Sequence, residues 1–207
     1  MNELTDQLER YEQEVIALRR DFHRHPELGF EEHRTAQVIE AYLRDLGLET
    51  QRVAGTGVVA VLRGRCPEPV LMLRADMDAL PITEENEIDY KSQNEGVMHA
   101  CGHDAHMAML LVAAKILVQH KDALDGTIKF VFQPNEEIAG APQMIEEGVL
   151  ENPRVDAVMG IHVWAPVAAG RIAITAGPVM GGLDVFKLTI SGKGGHTGVP
   201  EDAIDPV

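Results

Sequence analysis

Apolar residues recur along this chain with two different periods, and the switches between them lay out the fold. Leu4, Leu8, Tyr11, Val15, Leu18 and Phe22 step by four and three, which draws one stripe down a helix. The run His25-Pro26-Glu27-Leu28-Gly29 interrupts it. A second helix is predicted from about Glu32 to Leu46, with Ala36, Ile39, Tyr42, Leu43 and Leu46 inward and Gly47 as its stop. Gly57–Leu62 and Val70–Ala75 are almost continuously apolar, as strands covered on both faces are. Ala105–Val118 is apolar nearly all round and reads as a buried helix. Further strands are predicted at Thr127–Phe132 and Ala157–His162, with a short helix around Met144–Val149. Helices alternating with doubly covered strands predict an α/β fold, a three-layer domain on a mostly parallel or mixed sheet.

After Gly177 the texture changes. Asp184–Ile190 alternates polar and apolar residues, the mark of a half-exposed strand, and the glycine-rich Ser191–His196 follows. These features place a boundary near Gly181-Gly182, with residues 1–181 as one domain and 182–207 as the first strand of a small α+β domain. A lone strand is not a stable unit, so the sequence reads as truncated.

Charge narrows the range of partners. The formal net charge is −15, which repels nucleic acid and anionic membranes, so neither is expected. No apolar run reaches the length that spans a bilayer, and Met1–Asp6 lacks the features of a secretory signal, so a cytoplasmic location is expected. Two cysteines, Cys66 and Cys101, do not make a disulfide scaffold.

The candidate chemistry clusters at strand ends, where sites form in open α/β sheets. Asp76 and Asp78 follow one strand, Glu136 and Glu137 another, and His162 closes a third; Cys101 and His103 precede the buried helix. A thiolate and an imidazole two residues apart suit zinc or a related divalent ion. The same pair also reads as a cysteine nucleophile with its base, or as an inert cysteine beside a histidine. His99 and His106 flank it as supporting or packing groups. Adjacent carboxylates divide naturally into a ligand and a general base; without a metal, Glu136-Glu137 is a solvated acidic loop. Asp76-Met77-Asp78 points two carboxylates the same way when extended, so one can hold a ligand histidine; otherwise it caps a turn before Pro81. Gly192–His196 lacks the spacing of a phosphate loop and reads as a turn presenting His196.

Together, Arg19–Phe30, Leu73–Pro81, His99–His106, Phe132–Glu137, Gly160–Val163 and Gly192–His196 resemble a metal-dependent amidohydrolase family. That family includes hippurate hydrolase, N-acyl-L-amino-acid amidohydrolases and plant indoleacetyl-amino-acid hydrolases, and is related to aminoacylases and zinc carboxypeptidases. The resemblance runs in order along essentially the whole chain. It implies hydrolysis of the amide bond of N-acyl amino acids with two divalent ions, zinc, manganese, cobalt or nickel. By the same resemblance Cys101 bridges the two ions, His103 and His162 complete one, and Glu137 serves the other. Glu136 is then the general base, Asp78 supports a ligand histidine, and His196 reaches a partner subunit's substrate from a dimerising lid. A fifth ligand histidine of the family lies beyond the segments seen here, so one metal site is expected to be incomplete in this chain. An inactive metal-binding or interaction fragment of the same fold is the alternative. The loop Ile138-Ala139-Gly140-Ala141-Pro142 also departs from the family in being poorer in glycine.

Overall fold

The first stripe forms a helix, α1 (Asn2–Arg24), in the computed structural model, which describes residues 2–179, 181–182 and 186–207, with side chains from Glu9 onward. Phe22 is fully buried and Leu18 packs beside it, while the side chains of Leu4 and Leu8 lie outside the described residues. The second helix, α2 (His33–Asp45), buries Ala36, Ile39 and Leu43, with Tyr42 and Leu46 at the rim of that face. Its first turn has N–H groups with no helical partner. The Glu27 carboxylate accepts two of them, from Arg34 at 3.0 Å and Thr35 at 2.8 Å. Gly47 ends the helix at φ +80°, a left-handed turn that glycine adopts without a Cβ penalty.

Five strands form one mixed sheet: β1 (Thr50–Val53), β2 (Gly57–Arg63), β3 (Val70–Asp76), β4 (Thr127–Gln133) and β5 (Ala157–Gly160), in the order β1-β2-β4-β3-β5. The pairs β1–β2 and β2–β4 are antiparallel; β3 runs parallel to both β4 and β5. The period-two alternation of strand side chains builds the layers. Val58, Ala60, Leu62, Ala75, Phe130 and Phe132 share a core with residues of α1, α2 and α3 (His103–Gln119). On the opposite face, Val59, Met72 and Val131 pack with Val53, Met144 and Val149, which brings in the short α4 (Ala141–Glu146). Phe130 and Phe132 are both fully buried in β4. Each such side chain contributes about 1.5–3 kcal/mol relative to exposure. At the other extreme, β5 lies at the sheet edge with Val158 and Met159 exposed.

A buried polar cluster ties α1 to the start of α3. His23 Nδ1 lies 2.8 Å from Asp104 Oδ2, and its Nε2 lies 3.1 Å from Glu84 Oε1. Arg19 Nε donates to the same Asp104 oxygen at 3.0 Å. A ring with a carboxylate at each nitrogen favours the doubly protonated form. The Asp104 hydrogen bond does most to raise His23 above its usual range; burial opposes it, and Glu84 adds to the rise. A histidine raised on folding stabilises the fold fully below its unfolded value near 6.5, and that contribution is lost as pH rises through the higher folded value. The urea midpoint therefore falls between pH 6 and pH 9, and His23→Gln makes this fall shallower. Identical pH slopes for the two proteins would remove His23 from the account.

The chain divides into two compact units, Met1–Trp164 and Ala165–Val207. The Gly181-Gly182 boundary expected from the sequence texture falls within the second of these units. Among its described residues the second unit contains one 3-10 turn (Pro200–Asp202) and a bridge between Lys193 and Ile204. Of the strand expected at Asp184–Ile190, Asp184 and Val185 lie outside the described residues, and Phe186–Ile190 carries no strand. None of the described helices is long and apolar enough to cross a membrane.

Candidate metal centre

The parallel neighbours β4, β3 and β5 end on the same side of the sheet, and the polar residues follow those ends. β3 closes on Asp76 with Asp78 two residues on, β4 precedes Glu136-Glu137, β5 precedes His162, and α3 opens on His103 just after Cys101. Gly102 lies between those two at φ +87°, and an added Cβ there would stand 2.3 Å from Val163 Cγ2. Only glycine fits this turn without displacing Val163.

Two aspartates meet two histidines. Asp76 and Asp78 are both buried, and His103 and His106 lie one turn apart on α3. His103 Nδ1 is 2.8 Å from the Asp78 carbonyl oxygen and 3.3 Å from Asp78 Oδ1. His106 Nδ1 is 2.5 Å from Asp76 Oδ1. With its proton on Nδ1, His103 turns the Nε2 lone pair toward Asp76 Oδ2 at 3.7 Å, Glu136 Oε2 at 3.8 Å and Glu137 Oε1 at 3.8 Å. That Nε2 is buried without a hydrogen-bond partner, and so is Glu137 Oε1. His162 has a parallel arrangement: Nδ1 lies 2.6 Å from the Val163 carbonyl oxygen and Nε2 lies 3.4 Å from Cys101 Sγ.

The donor atoms of Cys101, His103 and His162 lie within 4.8 Å of one another, as do those of His103, Glu136 and Glu137, and of Asp76, His103 and His106. Cys101, His103 and His162 were expected to serve one ion, and the fold brings them together. Among these groupings His103, rather than Cys101, is the shared member. The acidic turn is held from two sides: Asp78 Oδ2 accepts the Glu137 N–H at 3.0 Å, and Glu32 Oε1 accepts the Asn135 N–H at 2.9 Å.

The charge balance suits a cation. Burial, followed by the charge and hydrogen bond of Glu137, pushes the Cys101 thiol up to about 12. Burial, followed by the Asp76 charge, also raises the Glu136 carboxyl. Burial acts to raise Asp76, but its His106 hydrogen bond and the charges of His103 and Arg74 hold it down at about 2. A thiol crowded by carboxylates is a poor nucleophile, whereas a bound cation would favour its thiolate. Buried carboxylates, a thiol, and two imidazoles that turn Nε2 toward them, that of His103 without a hydrogen-bond partner, thus fit a divalent metal centre.

His196 belongs to the second unit, where its Nδ1 accepts the Gly198 N–H at 3.0 Å. Reading the sequence missed Glu32, whose buried carboxylate steadies the acidic turn. The available signal was a charged residue at the inner start of α2. His106 was read only as a supporting or packing group, without its partner; Asp76-x-Asp78 at the end of β3 and His103-x-x-His106 on α3 are matching spacings.

Residues 72–204 match the peptidase family M20/M25/M40. The chain belongs to that family. This M20 chain is 49% identical over 197 residues to an N-acyl-L-amino acid amidohydrolase of Geobacillus stearothermophilus, covering 94% of this chain and 53% of that protein. It is 44% identical over 196 residues to an N-acetylcysteine deacetylase of Bacillus subtilis, covering 93% and 51%. Among solved structures, the Bacillus subtilis protein YXEP, described as a dinuclear metal binding peptidase from the M20 family, superimposes with a TM-score of 0.71 at 43% identity over 74% of this chain and 44% of that one. A structure from methicillin-resistant Staphylococcus aureus gives a TM-score of 0.80 at 37% identity over 100% of this chain and 56% of that one. The M20 chain spans about half the length of the curated relatives it matches.

Proposed function

We propose that the intact protein hydrolyses the amide bond of N-acyl amino acids with two divalent ions at this centre. The carrying observation is that His103 and His162 tie their Nδ1 atoms to carbonyl oxygens and present Nε2 atoms beside Cys101 and the Glu136-Glu137 carboxylates. Cys101, His103 and His162 would hold one ion. Cys101 and Glu137 would serve the other, which then needs further donors. Zinc, manganese, cobalt and nickel all suit this mixed donor set. Such ions supply Lewis-acid polarisation of a carbonyl and acidification of water.

The protein's own groups do the rest. Glu136, partly exposed at the edge of the cluster, takes a proton from water and later delivers it to the departing amine. Asp78 keeps the His103 ring and the Glu137 backbone in register. His196 contacts the substrate of a partner subunit, residues 182–207 begin the lid through which two copies pair, and residues 1–181 belong to the catalytic domain. The protein acts in the cytoplasm on small molecules, without nucleic acid or membrane partners.

Chelator treatment of the intact protein is expected to abolish hydrolysis of N-acyl amino acids, and zinc, manganese, cobalt or nickel to restore it. Hydrolysis that persists after complete metal removal but stops on thiol alkylation would instead make Cys101 a nucleophile. Metal binding without hydrolysis of any N-acyl amino acid would leave a binding protein.

A further inference from the structure

Both ring nitrogens of His106 are already engaged. Nδ1 faces Asp76 Oδ1 at 2.5 Å, and Nε2 accepts the backbone N–H of Val163 at 2.9 Å. A nitrogen that accepts an N–H carries no proton, so the ring proton lies on Nδ1 and is donated to Asp76. Asp76 is itself fixed: Arg74 Nη1 donates to its Oδ2 at 2.8 Å, and Arg74 Nε donates to Gln133 Oε1 at 2.9 Å. A chain of hydrogen bonds thus crosses the ends of β4 and β3, passes through α3, and arrives at the peptide of Val163.

That peptide is also what orients His162. The Val163 N–H is held by His106, while the Val163 carbonyl oxygen lies 2.6 Å from His162 Nδ1. His162 is exposed and lies beyond the last residue of β5, so the sheet ladder does not hold it. We propose that His106 is a positioning residue for His162: it anchors Val163, and Val163 aims His162 Nε2 at Cys101. This rests on Cys101, His103 and His162 being a metal centre. His106 also lies within ligand distance of Asp76 and His103. It could coordinate only by giving up one of its two hydrogen bonds, so its role is orientation rather than coordination.

Cobalt(II) titration of the full chain, read by visible absorption, tests the proposal. His106→Leu removes both hydrogen bonds and is expected to weaken cobalt binding about 10- to 100-fold and to shift the absorption bands, as losing an outer partner of a ligand does. His106→Gln keeps an acceptor for the Val163 N–H and is expected to recover most of the affinity and the wild-type spectrum. Wild-type affinity and spectrum in His106→Leu would overturn the proposal. Failure of the wild-type chain to bind cobalt would instead reject the metal-centre reading. The tautomer can be read without metal, by nitrogen-15 NMR of the metal-free wild-type chain: a protonated Nδ1 with a bare Nε2 supports the anchor, and a protonated Nε2 overturns it even if neither variant folds.

Discussion

Glu136→Gln in the intact protein is expected to retain bound metal and to lose about 10²- to 10⁴-fold in kcat, the usual contribution of a positioned proton carrier. Glutamine matches glutamate in shape, so the turn held by Glu32 and Asp78 keeps its form. The substitution removes only the capacity to accept and return a proton. Glu136 is suited to that role because its side chain is partly exposed, and burial with the nearby Asp76 charge raises its carboxyl. Glu137, the more buried of the pair, has an oxygen without a hydrogen-bond partner and is suited to ligation. Glu137→Gln should therefore fail differently, by losing metal. Metal content and kcat measured on both variants separate the roles. Unchanged turnover in Glu136→Gln would reject the proton-carrier assignment, and metal loss in that variant would exchange the two glutamates.

Gly102→Ala is expected to damage the centre through a single added methyl group. It places an ordinary residue at φ +87°, at a cost of about 1–3 kcal/mol. It also sets a Cβ 2.3 Å from Val163 Cγ2. Val163 is exposed and its side chain can yield, so this contact adds less than the backbone conformation does. The two contributions can be separated. Val163→Ala removes the atom in the way, so the double variant should recover the contact share and keep the backbone share. Urea midpoints of the two single variants and the double variant give the partition. A Gly102→Ala protein as stable as wild type would contradict the turn geometry. Because Gly102 joins Cys101 to His103, metal affinity should fall along with stability.

Long, strongly patterned segments were readable from the chain alone. α3 is apolar nearly all round and is buried nearly all round, and Val58–Leu62 and Phe130–Phe132 alternate between two cores, as their composition demands. β1 was not readable: Thr50-Gln51-Arg52-Val53 is short and polar, and becomes a strand because β2 supplies a partner along its whole length. The placement of β4 between β2 and β3 was not readable either, since both neighbours are apolar runs that would suit several partners. At the centre, strand-end positions gathered Asp78, Glu136, Glu137 and His162, and the start of α3 added Cys101 and His103. The hydrogen bond from Val163 to His106 depends on a loop path that no periodicity encodes.

The strand order also sets a timetable. β2 and β3 are successive in the chain yet do not pair; β4, separated from β3 by all of α3, lies between them. A nascent chain that has not yet released Thr127–Gln133 holds two apolar strands with a gap between them, and closing that gap requires contacts distant in sequence, which form slowly. Cys101 and His103 therefore leave the ribosome well before the sheet edge that collects their companions exists. A metal ion arriving early would meet isolated donors, and tight loading is expected only after the central strand has docked and β5 has followed it.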